Sequence, residues 1–167
     1  MILSQKLLIA STSLLAMFCL ESSFAQQNSV LPDYPNSYEI VRNIVDFPEG
    51  RSMGSGNAID VDSKGNIWVF ERCGGNNGAC PESDVDPVLQ FTPDGDLLFS
   101  FGSGMFVWPH GVVVDDDDNL WLIDAGIIEG EKGNQIFKFT PEGELLLVLG
   151  EPGIRGEAPG EFNEPSD

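Results

Sequence analysis

One unit of sequence occurs twice in this chain, and an internal repeat constrains architecture more than any local propensity does. Asn57-Ala58-Ile59-Asp60-Val61-Asp62, Ser63-Lys64-Gly65 and Asn66-Ile67-Trp68-Val69 return as His110-Gly111-Val112-Val113-Val114-Asp115, Asp116-Asp117-Asp118 and Asn119-Leu120-Trp121-Leu122. Trp68 and Trp121 are 53 positions apart. The second half of the unit returns as well: Phe91-Thr92-Pro93-Asp94-Gly95 matches Phe139-Thr140-Pro141-Glu142-Gly143 at an offset of 48. The five-residue difference falls in the loop that carries Cys73 and Cys80.

Each unit reads as four short strands, because apolar and aromatic residues recur between turn formers such as Pro93-Asp94-Gly95 and Pro141-Glu142-Gly143. Four strands in roughly 40 to 45 residues are the dimensions of a propeller blade. The expected fold class is therefore all-β, a β-propeller with about two blades present, one over 57–102 and one over 110–150. Strands are expected at 57–62, 66–72, 87–92 and 97–102, and at 110–115, 119–124, 134–140 and 145–150. A further strand is expected over Tyr38 to Val45, and 161–167 resembles the start of another blade, as 106–111 does. Two blades cannot close a ring, so the chain is read as part of a longer protein with exposed apolar sheet surface.

Up-and-down meanders alternate their connections between the two ends of a blade. Pro109-His110-Gly111, Glu71-Arg72, Asp124 and the cysteine loop should then share one face, with Asp115 to Asp118 and the Pro-acid-Gly turns on the other. The four aspartates lack the alternating ligands and terminal Glu of a calcium loop and read as a solvated turn. Trp68 and Trp121 read as packing residues between blades.

Composition narrows the partners. With 27 acidic and 8 basic residues the formal charge is −19, which argues against a nucleic-acid partner and against anionic lipid surfaces. Lys6, the apolar run Leu7 to Leu20 and Ser23-Phe24-Ala25 read as a signal peptide over 1–25, followed by a linker over 26–37. The run is shorter than the roughly 20 residues a membrane span needs, and Phe18 fits poorly before a lipidated Cys19. The mature protein is expected to be secreted or periplasmic, with no membrane association once the signal is removed. In that oxidising setting Cys73 and Cys80 are expected to form a structural disulfide.

His110 is the chain's single histidine and stands where an inner strand begins, at the position that Asn57 holds in the first blade. Imidazole ligates zinc when other donors converge on it, and a propeller axis lets each blade contribute one. Arg72 is permanently charged and suited to a carboxylate or oxyanion. On the residues alone the simpler account is preferred for both: an ordinary rim histidine, and an arginine paired with Glu71, Asp124 or the acidic surroundings.

At these residues the chain resembles the bacterial NHL-repeat proteins related to peptidyl-α-hydroxyglycine α-amidating lyase, from about Gly56 onward. The resemblance rests on Ile59-Asp60-Val61-Asp62, on Asn66-Ile67-Trp68-Val69-Phe70-Glu71-Arg72, and on Pro109-His110-Gly111-Val112. It implies an NHL-type propeller, six-bladed when complete, that cleaves a carbon–nitrogen bond to give a peptide amide and glyoxylate. By position it implies that His110 is one of three zinc-binding histidines and that Arg72 is the active-site arginine. It further implies that Ile59 and Val112 offer backbone carbonyls to a calcium ion, and that the remaining ligands and a catalytic tyrosine lie in later blades. The cysteine loop departs from the animal enzymes. Two other functions fit a propeller: a non-catalytic module that binds a peptide, glycan or protein, and a calcium-dependent lactonase.

Overall fold

The structure, a computed structural model, describes residues 37–54, 58–74, 80 and 83–166. The expected signal peptide, most of the linker and Asn57 lie outside the described residues. Two units divide the chain, Met1–Glu39 and Ile40–Asp167, and the sheets belong to the second.

Eight strands form two separate four-stranded antiparallel meanders, two blades of a β-propeller. The first comprises β1 (Ala58–Val61), β2 (Ile67–Phe70), β3 (Val88–Phe91) and β4 (Leu97–Phe101); the second comprises β5 (Pro109–Val114), β6 (Leu120–Ile128), β7 (Lys132–Phe139) and β8 (Leu145–Leu149). In each sheet the strands are ordered as in the sequence.

The repeated Asp, Asn and Trp build the repeated turn. Asp62 accepts from the backbone N–H groups of Lys64 and Asn66, from the Asn66 amide and from the Trp68 indole. Asp115 does the same for Asp117, Asn119 and Trp121. An aspartate that bonds its own downstream backbone closes a tight turn without any metal. The turn needs one left-handed residue: Gly65 supplies it in the first blade (φ 84) and Asp118 in the second (φ 65), aspartate being one of the few side chains that tolerate that region. Asp118 also reaches across to the backbone and hydroxyl of Ser63, so the two acidic turns lie together at one end.

Between the blades lies the main core, with Trp68, Phe70, Val88, Phe106, Leu120, Leu122 and Phe139 buried. Phe106, in the connection from β4 to β5, meets Phe70 edge-on at 4.8 Å and Phe137 at 5.3 Å. A smaller cluster, Val69, Leu89 and Phe91, lies on the other face of the first blade under Val45 and Phe47.

Two expectations are corrected. Residues 38–45 form no strand; instead Asp46 donates to the carbonyl of Gly95, and Phe47 packs on Phe91 at 5.7 Å. A strand needs a partner edge; Ile40, Val41 and Ile44 are instead exposed, and Val45 and Phe47 pack on the first blade. Second, β6 does not end near Asp124: it runs past an irregularity at 124–127 to Ile128 and turns tightly into β7. Residues 161–166 carry an isolated bridge from Phe162 to Arg155. Phe162 lies against Gly150 as Phe106 lies against Gly102, so the packing that follows the first blade recurs after the second.

Candidate functional site

The end of the blades opposite the acidic turns gathers Arg72, the cysteine loop and the 106–110 connection. His110 owes its placement to a β-bulge. Pro109 is opposite Asp124 and Gly111 opposite Ile123, which leaves His110 as the unpaired extra residue of β5. Bulges re-aim a side chain and disrupt the ladder locally. Proline at 109 has no N–H to lose, and its carbonyl accepts from Arg72 Nε at 3.1 Å. Arg72 and His110 thus sit at the same rim, as the alternation of connections required.

Neither Glu71 nor Asp124 is the partner of Arg72. Glu71, fully buried, pairs with Arg51 and accepts from the backbone of Gly54 and Gly74. Asp124, also fully buried, accepts from the N–H groups of Val107 (2.9 Å), Trp108 (2.7 Å) and Gly126 (3.3 Å). Burial raises the Asp124 carboxyl above its ordinary value even though these donors pull the other way. Arg72 instead lies over the Trp108 ring, with its guanidinium carbon 4.8 Å from the ring centroid. No carboxylate among the described residues pairs with it, and burial lowers its pKa. A guanidinium with no carboxylate partner among the described residues has the donor geometry to take a carboxylate or oxyanion.

His110 also has an opening. Its Nδ1 is buried with no hydrogen-bond partner among the described residues, a costly state unless a ligand or solvent takes it. A depression of about 460 Å³ along the inner edge is lined by His110, Ile59, Val112 and Ile123, among others. Ladder alternation fixes where the carbonyls point. Asp62 and Asn66, and likewise Asp115 and Asn119, are hydrogen-bonded pairs at the turns. Counting back along each strand makes Ile59–Val69 and Val112–Leu122 non-hydrogen-bonded pairs. The Ile59 and Val112 carbonyls therefore turn away from β2 and β6, toward the inner edge. Val114 obeys the same rule, its N–H leaving β6 to reach Asp60 at 2.7 Å.

Cys73 and Cys80 are joined in a disulfide, and Cys80 N–H donates to the Val107 carbonyl at 2.8 Å. Among the described residues no three His, Cys, Asp or Glu side chains cluster as a metal site, and no helix is long and apolar enough to cross a membrane. Trp108 is the residue sequence reasoning missed. Its signal was an aromatic directly before Pro109-His110-Gly111 on a connection that otherwise supplies core residues.

No family model matches the chain. It is 28% identical over 116 residues to peptidyl-alpha-hydroxyglycine alpha-amidating lyase 1 of Drosophila melanogaster, covering 59% of this chain and 20% of that protein. It is 31% identical over 128 residues to the mouse peptidyl-glycine alpha-amidating monooxygenase, covering 75% and 11%. With mouse NHL repeat-containing protein 3 the identity is 30% over 115 residues, covering 65% and 30%. The chain thus spans less than a third of the length of each of these relatives. Among solved structures, a structural genomics protein of unknown function from Bacteroides thetaiotaomicron superposes with a TM-score of 0.52 at 20% identity, over 74% of this chain and 32% of that one; that likeness is one of fold.

Proposed function

We propose that this chain, a relative of the NHL-repeat amidating lyases, carries the arginine and one histidine of a site that cleaves peptidyl-α-hydroxyglycine. The supporting observation is Arg72, which no carboxylate among the described residues neutralises and which is anchored to the residue before His110. The substrate ends in an N–CH(OH)–carboxylate group. Arg72 binds its negative end through the fork of guanidinium donors and holds it as the amide nitrogen leaves. The bond from nitrogen to the hydroxylated carbon breaks, the hydroxyl proton is lost to a base, the nitrogen gains a proton, and the products are a peptide amide and glyoxylate.

His110 fits a zinc ligand because its buried Nδ1 lacks a partner among the described residues; the resemblance assigns the other ligands and the base to later blades. Ile59 and Val112 offer hard carbonyl oxygens at the inner edge, the donor type calcium takes. Bound zinc would polarise the substrate hydroxyl and so ease its deprotonation. The disulfide suits a secreted or periplasmic protein.

The test is glyoxylate release from α-hydroxybenzoylglycine by protein purified from the cells that make it, with zinc assayed in the same sample. Arg72→Ala should lower kcat/KM by about 100-fold or more, and His110→Ala should lower both zinc content and rate. A zinc-free, correctly folded protein that releases no glyoxylate would sink the proposal. Retained peptide binding, insensitive to chelators, would then favour the binding module.

A further inference from the structure

We infer that Trp108 is a positioning residue that presets the Arg72 guanidinium as a carboxylate fork, an inference that deepens the lyase reading and rests on it for its substrate. The Arg72 guanidinium carbon lies over the Trp108 ring, 4.8 Å from its centroid, and Nε is committed to the Pro109 carbonyl. The two Nη groups have no acceptor among the described residues. An arginine stacked on an aromatic face and tied at Nε has lost most of its rotamer freedom before any ligand arrives, and that loss need not be met again on binding.

The platform is itself fixed on several sides. Trp108 N–H donates to Asp124, and its carbonyl accepts from Ala125 N–H at 3.1 Å. A Cβ on Gly126 would come within 2.6 Å of the Trp108 Cβ, so only glycine lets β6 and the connection before β5 approach this closely. From the other side, the disulfide begins one residue after Arg72, and Cys80 is bonded to Val107, one residue before Trp108. Both partners of the stack are therefore tied to the same short loop. Trp108 is also 41% exposed, so its substitution does not open the core.

Two measurements on the full chain test this. The first is solvent exchange of the Arg72 Nε–H proton by NMR, assigned by its loss in Arg72→Lys. The second is calorimetric affinity for benzoylglycine, with benzoylglycinamide, which lacks the carboxylate, as control. Trp108→Leu should speed the exchange and weaken benzoylglycine by about tenfold each, while Trp108→Phe, which keeps a ring face, restores both to within about threefold. The amide should not respond to either variant. Unchanged Nε–H exchange in Trp108→Leu overturns the inference whatever the ligand does. Faster exchange in that variant, with no benzoylglycine binding to any protein including the unaltered one, supports the positioning role and counts against the lyase reading.

Discussion

Asp62 and Asp115 each fold back over their own turn, and the difference between them lies in the neighbouring strand, where Gln90 completes the first network and Lys138 the second. For Asp62, burial pushes the pKa up, but the bonds from Asn66, Lys64 and Gln90 outweigh it and hold the carboxyl below its ordinary value. For Asp115 the Lys138 ammonium and the Trp121 indole lower it far more. Both folded-state pKa values lie below the unfolded one, so their contribution to stability is complete above the usual carboxylate range and is lost as pH falls below it. Asp124 has the opposite sign: its raised pKa gives stability that is lost as pH climbs out of that range. Melting curves from pH 7 down to pH 3 should show Tm falling, and the acid-sensitive part should shrink in Asp115→Asn. Asp62→Ala should cost about 2 kcal/mol at neutral pH, because it strands the indole N–H of the fully buried Trp68. An acid limb in Asp115→Asn identical to the unaltered protein's would contradict the turn account.

At the scale of elements, the blades are joined by Phe106. It is fully buried and touches aromatic rings of both sheets, so Phe106→Ala should destabilise the chain by about 3 to 5 kcal/mol by denaturant unfolding. Leu98→Ala, at an exposed position, should cost far less; equal costs would mean the two sheets unfold independently. The strands were legible because Asp, Asn and Trp at fixed spacing generate the same turn in both units. The end of β6 was not, since Ala125-Gly126 reads as a break but serves as an irregularity through which pairing continues. The partner of Arg72 was hidden for a different reason. Glu71 is its neighbour in sequence, yet its charge is taken by Arg51 from a non-repeating segment, and no periodicity announces that contact. Likewise the bulge that sets His110 apart is a two-against-one register, which local sequence does not display.

Across the described residues of both blades, the two ends differ. Acidic turns close one end of both blades, while Arg72, Trp108, the disulfide and His110 share the other. A net charge of −19 repels a carboxylate at long range, so selectivity for one must come from short-range donors at that rim. On the second blade, Leu145 to Leu149 leave an edge strand of apolar residues 37% to 52% exposed, a surface of the kind that pairs with or packs against further chain. The central claim is that one rim offers an anion fork and a metal-binding imidazole side by side. A crystal grown with zinc and benzoylglycine, with anomalous data collected at the zinc edge, measures this most directly. The account predicts a zinc peak about 2.1 Å from a nitrogen of His110 and the ligand carboxylate about 2.8 Å from the Arg72 Nη atoms. A map with no zinc on His110, or with the carboxylate bound away from Arg72, would contradict it.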